Sequence, residues 1–259
     1  MTSKTIGTYE LGDELGQAPL GSLFRARSEG KDVLVRVVRG RLPFTKAALD
    51  RVASAARHAK TIEHARVAPI LDVIEGDPVA IVFGVANGEL LTEVQKQAAA
   101  QRNAVPLRIA TRIVLDLCEA IACAHEKKAA DLPAFGGLSP DSALVGPDGV
   151  TRLLDAFAAP AAIQSLESSP RFVAYQSPEH FSKSPLTAAS DVFSLGTIAW
   201  ELVVNRALFG STSLAEVRRR VNAPVKRADT AGIVKRADLT PLANVLDRAL
   251  QGNPSKRYA

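Results

Sequence analysis

Ser190-Asp191-Val192-Phe193-Ser194-Leu195-Gly196, running on through Trp200-Glu201-Leu202, is the stretch from which the fold of this chain is read. An acidic residue followed by an almost unbroken apolar run predicts a buried helix from Asp191 to about Val204, with Trp200 in the core. Further helices are predicted near 213–222 and 240–251, the last closed by Gly252 and Pro254. Working back towards the N-terminus, Leu107, Ala110, Ile113, Val114, Leu117 and Ile121 form an apolar stripe that ends near His125. Before residue 86 the periodicity changes. Tyr9 to Leu15, Ser22 to Ser28, Asp32 to Val38, Ile70 to Glu75 and Val79 to Val85 are short runs rich in Val, Ile and Leu between Gly, Asp and Pro, and they read as strands. One helix, about Thr45 to Lys60, interrupts them. The expected architecture is α+β: one bilobal domain over 1–259, with a small β-rich lobe over 1–86, a larger helical lobe over 87–259, and the boundary near Ala86-Asn87-Gly88.

The chain has 259 residues, of which 47% are apolar and 23% charged, the balance of a soluble globular protein. No apolar run reaches the roughly 18 to 20 residues of a bilayer crossing, and the N-terminus has no secretory pattern, so a cytoplasmic protein without a membrane span is expected. Cys118 and Cys123 lie five apart on the predicted helix, about 140° apart around its axis, which suits neither a disulfide nor a metal pair. His58, His64, His125 and His180 are scattered, and no metal site or other cofactor is expected. The net charge of +5 is spread along the chain with only 5% aromatics, so nucleic acid is not an expected partner.

Between two predicted strands lies Leu15-Gly16-Gln17-Ala18-Pro19-Leu20-Gly21, a glycine loop whose middle position is Ala18. With Leu23, Ala26 and Val33-Leu34-Val35-Arg36 after it, this segment resembles the opening of a protein kinase domain, where a V-A-I-K strand follows the loop. Later landmarks come in the family's order. Ile62-Glu63-His64 through Val67-Ala68-Pro69-Ile70 resembles the L-x-H-P-x-I-V of bacterial Ser/Thr kinases. Leu138-Ser139-Pro140-Asp141-Ser142-Ala143-Leu144-Val145 resembles the catalytic loop D-L-K-P-E-N-I-L-V, and Leu154-Asp155-Ala156-Phe157 stands in the place of D-F-G. Ser177-Pro178-Glu179 matches A-P-E, the 190–202 stretch matches S-D-V-Y-S-L-G…E-L, and Asn253-Pro254-Ser255-Lys256-Arg257 is similar to D-P-x-x-R. The resemblance covers essentially the whole chain and implies a bilobal kinase-like fold of the bacterial Hanks type.

The same resemblance implies which chemical positions have changed. Kinase chemistry depends on positioning and charge. The lysine position is Arg36; the glutamate that should pair with it is Ala55, so Arg36 is expected to lack its usual carboxylate partner. H-R-D becomes Phe135-Gly136-Gly137, with Gly137 in place of the base, and the metal-binding Asn is Ser142. Asp155 keeps the D-F-G aspartate position without the aromatic and glycine that follow it, and is expected to act as a turn cap. Around the nucleotide positions Gly16, Ala18 and Gly21, the side chains Leu23, Leu34 and Leu144 are expected to form an apolar stack in the adenine space. Glu179, Arg257 and Asp191 match positions with structural roles.

These positions imply a degenerate member, not an enzyme: a pseudokinase with weak or no ATP binding that acts as a protein-interaction scaffold or allosteric regulator. The alternatives are a divergent Ser/Thr kinase with residual nucleotide binding and slow phosphotransfer, and a nucleotide sensor without turnover. A protein partner is expected, either an active kinase or a phosphopeptide-binding module. Residues 158 to 174 read as an exposed loop in which Ser165, Ser168 and Ser169 could be phosphorylated. The basic run Arg218-Arg219-Arg220, with Lys226 and Arg227, is read as a solvated face rather than a docking surface.

Overall fold

In Lys31–Val38 every second side chain faces the same way, and this alternation fixes the layout of the small lobe. Val33, Val35 and Val37 join Ala26, Ala80 and Val82 in an outer apolar cluster. Leu34 and Val38 point instead into the main core, and Arg36 shares their face. The computed structural model describes residues 4–38, 44–85, 87–127, 135–155, 157–182, 184–223 and 239–258. Ala86, Ala156, Lys226 and Arg227, named in the sequence reading, lie outside the described residues.

Strands β1 (Lys4–Ile6), β2 (Tyr9–Ala18), β3 (Gly21–Ser28), β4 (Lys31–Val38), β5 (Ile70–Ile74) and β6 (Val79–Phe83) form an antiparallel sheet in the order β1-β2-β3-β4-β6-β5. Helix α1 (Lys46–Ala59) begins at Thr45, whose hydroxyl accepts from the Ala48 amide. It buries an alanine-rich face, Ala48, Ala53, Ala55, Ala56 and Ala59, with Leu49 and Val52.

A second, three-stranded sheet, β7 (Glu89–Leu90), β8 (Ala143–Val145) and β9 (Thr151–Leu153), starts the larger part. It is tied to the small lobe by backbone bonds: Ala68 N donates to Leu153 O at 2.9 Å and Leu153 N to Arg66 O at 2.8 Å. The helices are α2 (Leu91–Ala100), α3 (Leu107–Glu126), α4 (Ala158–Ala161), α5 (Ile163–Leu166), α6 (Pro170–Val173), α7 (Pro178–Phe181), α8 (Ala188–Val204), α9 (Leu214–Asn222) and α10 (Thr240–Ala249). Helix α8 is the buried axis, packed on α3 and α10. It begins three residues before Asp191, because Thr187 and Ser190 form a reciprocal cap. Gly196 lets it approach α10, since a Cβ there would lie 2.9 Å from that of Ala249. Among the described residues no helix is long and apolar enough to cross a membrane.

Candidate functional site

The strand alternation that turns Leu34 inwards carries the Arg36 guanidinium into the interface between the two parts of the fold, where it is fully buried. Its Nε donates to Asp155 Oδ2 at 3.1 Å and its Nη2 to the same oxygen at 2.7 Å. Nη1 reaches Gly21 O at 3.2 Å, and Nη2 also reaches Asp141 O at 2.9 Å. One sequence expectation is corrected here: Asp155 is an ion-pair partner rather than a turn cap. The carboxylate that Arg36 meets, in place of its usual helix partner, comes from 119 positions along the chain. The planar fork of arginine accounts for the exchange, since it can hold a carboxylate and two carbonyls at once. Ala55 contributes only packing on the inner face of α1.

A divalent cation accompanying a nucleotide would need hard oxygen ligands. As placed, the two candidates do not fit one. Asp155 is occupied by Arg36, while Ser142 Oγ donates to Ser139 O at 2.8 Å and accepts from Ser139 N at 3.1 Å. Among the described residues no three His, Cys, Asp or Glu side chains converge on a metal position.

Leu23, Leu34 and Leu144 are fully buried in one apolar cluster that also holds Phe83 and Leu90. The glycine loop lies close against it: a Cβ on Gly16 would be 2.8 Å from Leu90 Cδ1. Between Ala18, Gly137, Asp141, Ser142, Asp155 and Phe172 remains a cavity of about 20 Å³. That is room for about one water molecule, not for a triphosphate.

What closes the cleft is the segment after Asp155, where the expectation of an exposed loop is corrected. Residues 157–174 carry three short helices, and α4 packs on α1. Arg51 Nε donates to Ala161 O at 3.3 Å. Phe157 is fully buried, its ring centroid 5.6 Å from that of His58, so an aromatic is present one position later than in D-F-G. Its φ of 64° is left-handed, as is that of Asp155 at 53°, and a bulky residue holds that conformation only where packing imposes it. Ser165 and Ser169 are half-buried and Ser168 is exposed. Ser169 caps α6, accepting from Phe172 N at 3.4 Å.

From α6, Arg171 reaches across the cleft. Its Nη1 donates to Gln17 O of the glycine loop at 2.9 Å, and its Nη2 to Asp141 Oδ1. Thr92 Oγ1 donates to the same carboxylate oxygen at 2.6 Å. Burial pushes the Asp141 carboxyl above the usual range, against the opposing effects of Arg171, Thr92 and Arg36. Sequence reasoning passed over Asp141. Its signal was modest: it stands where K-P-E-N has its acid, a position to which the reading gave no task.

The frame around the site is held by acids on helix termini. Asp191 accepts from Phe135 N at 2.9 Å, Gly136 N at 2.7 Å and His125 Nε2 at 2.7 Å. Gly136 has a φ of 61°, which favours glycine. Glu179 and Arg257 form a forked pair, at 2.6 and 2.9 Å, and Ser190 donates to Glu179 at 2.7 Å. Arg219 and Arg220 are paired with Glu216 at 2.8 and 2.6 Å and hold its carboxyl down at about 2. Arg218 lies 5.8 Å over the Phe181 ring.

A β-sheet lobe delivering a cation to a carboxylate of a helical lobe, beneath a glycine loop and beside a loop anchored on an aspartate, is the architecture of a bilobal protein kinase. The family described as "Protein kinase domain" matches residues 9–259, and the chain belongs to it. Among its curated relatives, Serine/threonine-protein kinase PkaA of Streptomyces coelicolor is 25% identical over 96% of this chain and 47% of its own length. Serine/threonine-protein kinase PknB of Mycolicibacterium smegmatis is 26% identical over 96% of this chain and 40% of its own. The probable kinase PkwA of Thermomonospora curvata is 29% identical over 85% of this chain and 29% of its own. The chain thus spans less than half the length of these relatives. The expectation that it is not an enzyme is overturned by this family match and by relatives that are named kinases.

Proposed function

We propose that this chain is a divergent Ser/Thr protein kinase that retains residual nucleotide binding and transfers phosphate slowly. The observation that carries this reading is the buried Arg36–Asp155 pair: the strand position that in this family serves the phosphates and the cleft position that serves their metal ion still hold a cation and a carboxylate, and these face each other. In the step itself, a Ser or Thr hydroxyl oxygen bonds to the γ-phosphorus of ATP and the bond to the β-phosphate oxygen breaks. The diphosphate leaves with that electron pair and the hydroxyl proton departs. Arg36, once it exchanges Asp155 for the phosphates, is the cation that orients them. Slowness follows from Gly137, which offers no side chain to the hydroxyl, since a positioned base contributes roughly 100- to 10,000-fold. The partners this activity calls for are acceptor proteins, among them an active kinase or a phosphopeptide-binding module. Cys118 and Cys123, both free thiols, support a cytoplasmic setting.

Transfer of γ-labelled phosphate from magnesium ATP to a Ser/Thr-rich acceptor protein tests the reading. The wild-type chain is expected to accumulate label slowly but well above Asp155→Asn. Equal accumulation in the two would refute it.

A further inference from the structure

The two ends of the cleft differ in kind. At one end the register of β3, β4 and β6 turns Leu23, Leu34 and Phe83 towards Leu90 and Leu144 of the second sheet, and none of the five is more than 1% exposed. Side chains packed in this way leave no slot for a planar base. The backbone entering the second sheet lies directly on this layer: a Cβ on Gly88 would be 2.8 Å from Leu144 Cγ. Arg25, opposite Leu34 on β3, ties the same backbone down, its Nη2 donating to Asn87 Oδ1 at 3.1 Å and lying 3.6 Å from Glu89 Oε1. The other end is polar and hollow. The cavity of about 20 Å³ beside Asp155 shares Ala18 and Pro19 with a second concavity of about 330 Å³, lined further by Gln17, Ser168, Ser169 and Arg171. Arg36 thus stands behind the inner hollow, joined to its lining by Asp155, and Arg171 lines the outer one.

We infer that the cleft selects its ligand by the phosphate chain and not by the base, so that ATP, GTP and inorganic tripolyphosphate are held alike. The inference rests on the kinase reading given above and names the ligand class of that same site. Both arginines are held by carboxylates in the closed cleft, Arg36 by Asp155 and Arg171 by Asp141. A phosphate chain entering from the hollow end gives each guanidinium another anion to fork onto as its carboxylate leaves, and neither charge is left bare. A base has no such exchange to offer. To enter, it must part Leu23, Leu34 and Phe83 from Leu90 and Leu144, and the apolar contact it gains replaces apolar contact already made. Specificity is a difference between affinities, and the base adds almost nothing to any of them.

The test is calorimetric titration of the chain with ATP, GTP, tripolyphosphate and adenosine, at one magnesium concentration and one ionic strength. The three polyphosphates are expected to bind with Kd values within about threefold of one another, and adenosine at least about 100-fold more weakly. Leu34→Ala, which frees space between the two sheets, should favour ATP over tripolyphosphate by about tenfold or more. The double variant Arg36→Met with Asp155→Leu removes the guanidinium without stranding a buried charge, and should weaken all three polyphosphates by about tenfold or more. A wild type that binds ATP about tenfold or more tighter than both GTP and tripolyphosphate overturns the inference, whether or not the variants fold. So does a double variant that binds as the wild type does, since the anions then sit elsewhere on the surface, or a folded Leu34→Ala with the ratio unchanged. If the wild type binds none of the three, the kinase reading falls and this inference with it; a wild type that prefers ATP leaves that reading standing and sinks the inference alone.

Discussion

Truncating Asp155 to alanine leaves the Arg36 guanidinium fully buried with only two backbone carbonyls, Gly21 O and Asp141 O, to accept from it. Removing one partner of a buried ion pair costs about 3–5 kcal/mol, because the surviving charge has neither water nor its counter-ion. In a domain of this size each kcal/mol lowers Tm by roughly 2–4 °C, so Asp155→Ala is expected to melt about 6–20 °C below wild type. The cost of breaking the pair differs from its net worth. With Arg36→Met and Asp155→Leu together, both charges leave the interior and their volume is refilled, and the double variant should return to within about 1 kcal/mol of wild type or exceed it. Urea denaturation and thermal melts of the wild type, the single variants and the double variant, all without nucleotide, give the full comparison. An Asp155→Ala chain within about 1 kcal/mol of wild type would mean that Arg36 escapes to solvent, and the account of the closed cleft would be wrong.

Burial raises the Glu179 carboxyl, but the hydrogen bonds from Arg257 and Ser190 outweigh burial and leave it below the usual value. A carboxyl depressed in the folded state contributes stability above its unfolded value and loses that contribution as pH falls through the folded one. Urea midpoints from neutral to about pH 2 should therefore drop more steeply for wild type than for Glu179→Gln, and equal slopes would contradict the pairing. Arg171 ties Gln17 of the glycine loop to Asp141, and hydrogen bonds to charged groups contribute about 1.5–3 kcal/mol. Arg171→Ala should speed amide exchange in residues 16–20 about tenfold or more; unchanged exchange would show that the loop is closed by apolar packing alone.

The parts of this structure that the sequence disclosed are those set by local rules. Alternation in Lys31–Val38 assigns each side chain to a face, and the apolar run from Asp191 to Val204 can only be a buried helix. The Arg36–Asp155 pair is of another kind. It joins residues 119 apart, one on β4 and one just beyond β9, and only the tertiary fold makes them meet. Counting along helix α1 leads to Ala55, a buried alanine with no carboxylate, and could not supply the substitute. Residues 158–162, Ala-Ala-Pro-Ala-Ala, have no amphipathic period, and their helix α4 exists because α1 offers a face of small side chains to pack on. Asp141 was hidden for a related reason: one acid in a turn has no signal of its own until burial and its neighbours give it one.

A filled cleft and a working kinase are compatible if closure is one side of an equilibrium. Opening must separate Arg36 from Asp155 and release Arg171 from Gln17 and Asp141. Suppose this costs about 3 kcal/mol; then only about one molecule in 150 is competent, and nucleotide affinity is weakened by the same factor. The cost is not spread evenly over possible ligands. A polyphosphate gives Arg36 a new anionic partner as Asp155 leaves, so its charge is never bare, whereas a neutral ligand would have to leave it unpaired. The ion pair that shuts the cleft therefore also selects what can open it. Any acceptor or partner protein that binds only the open form strengthens nucleotide binding by as much as the nucleotide strengthens its own. Weak nucleotide binding by the isolated chain is what such a kinase should show, and a rise in affinity with partner present is where its activity would emerge.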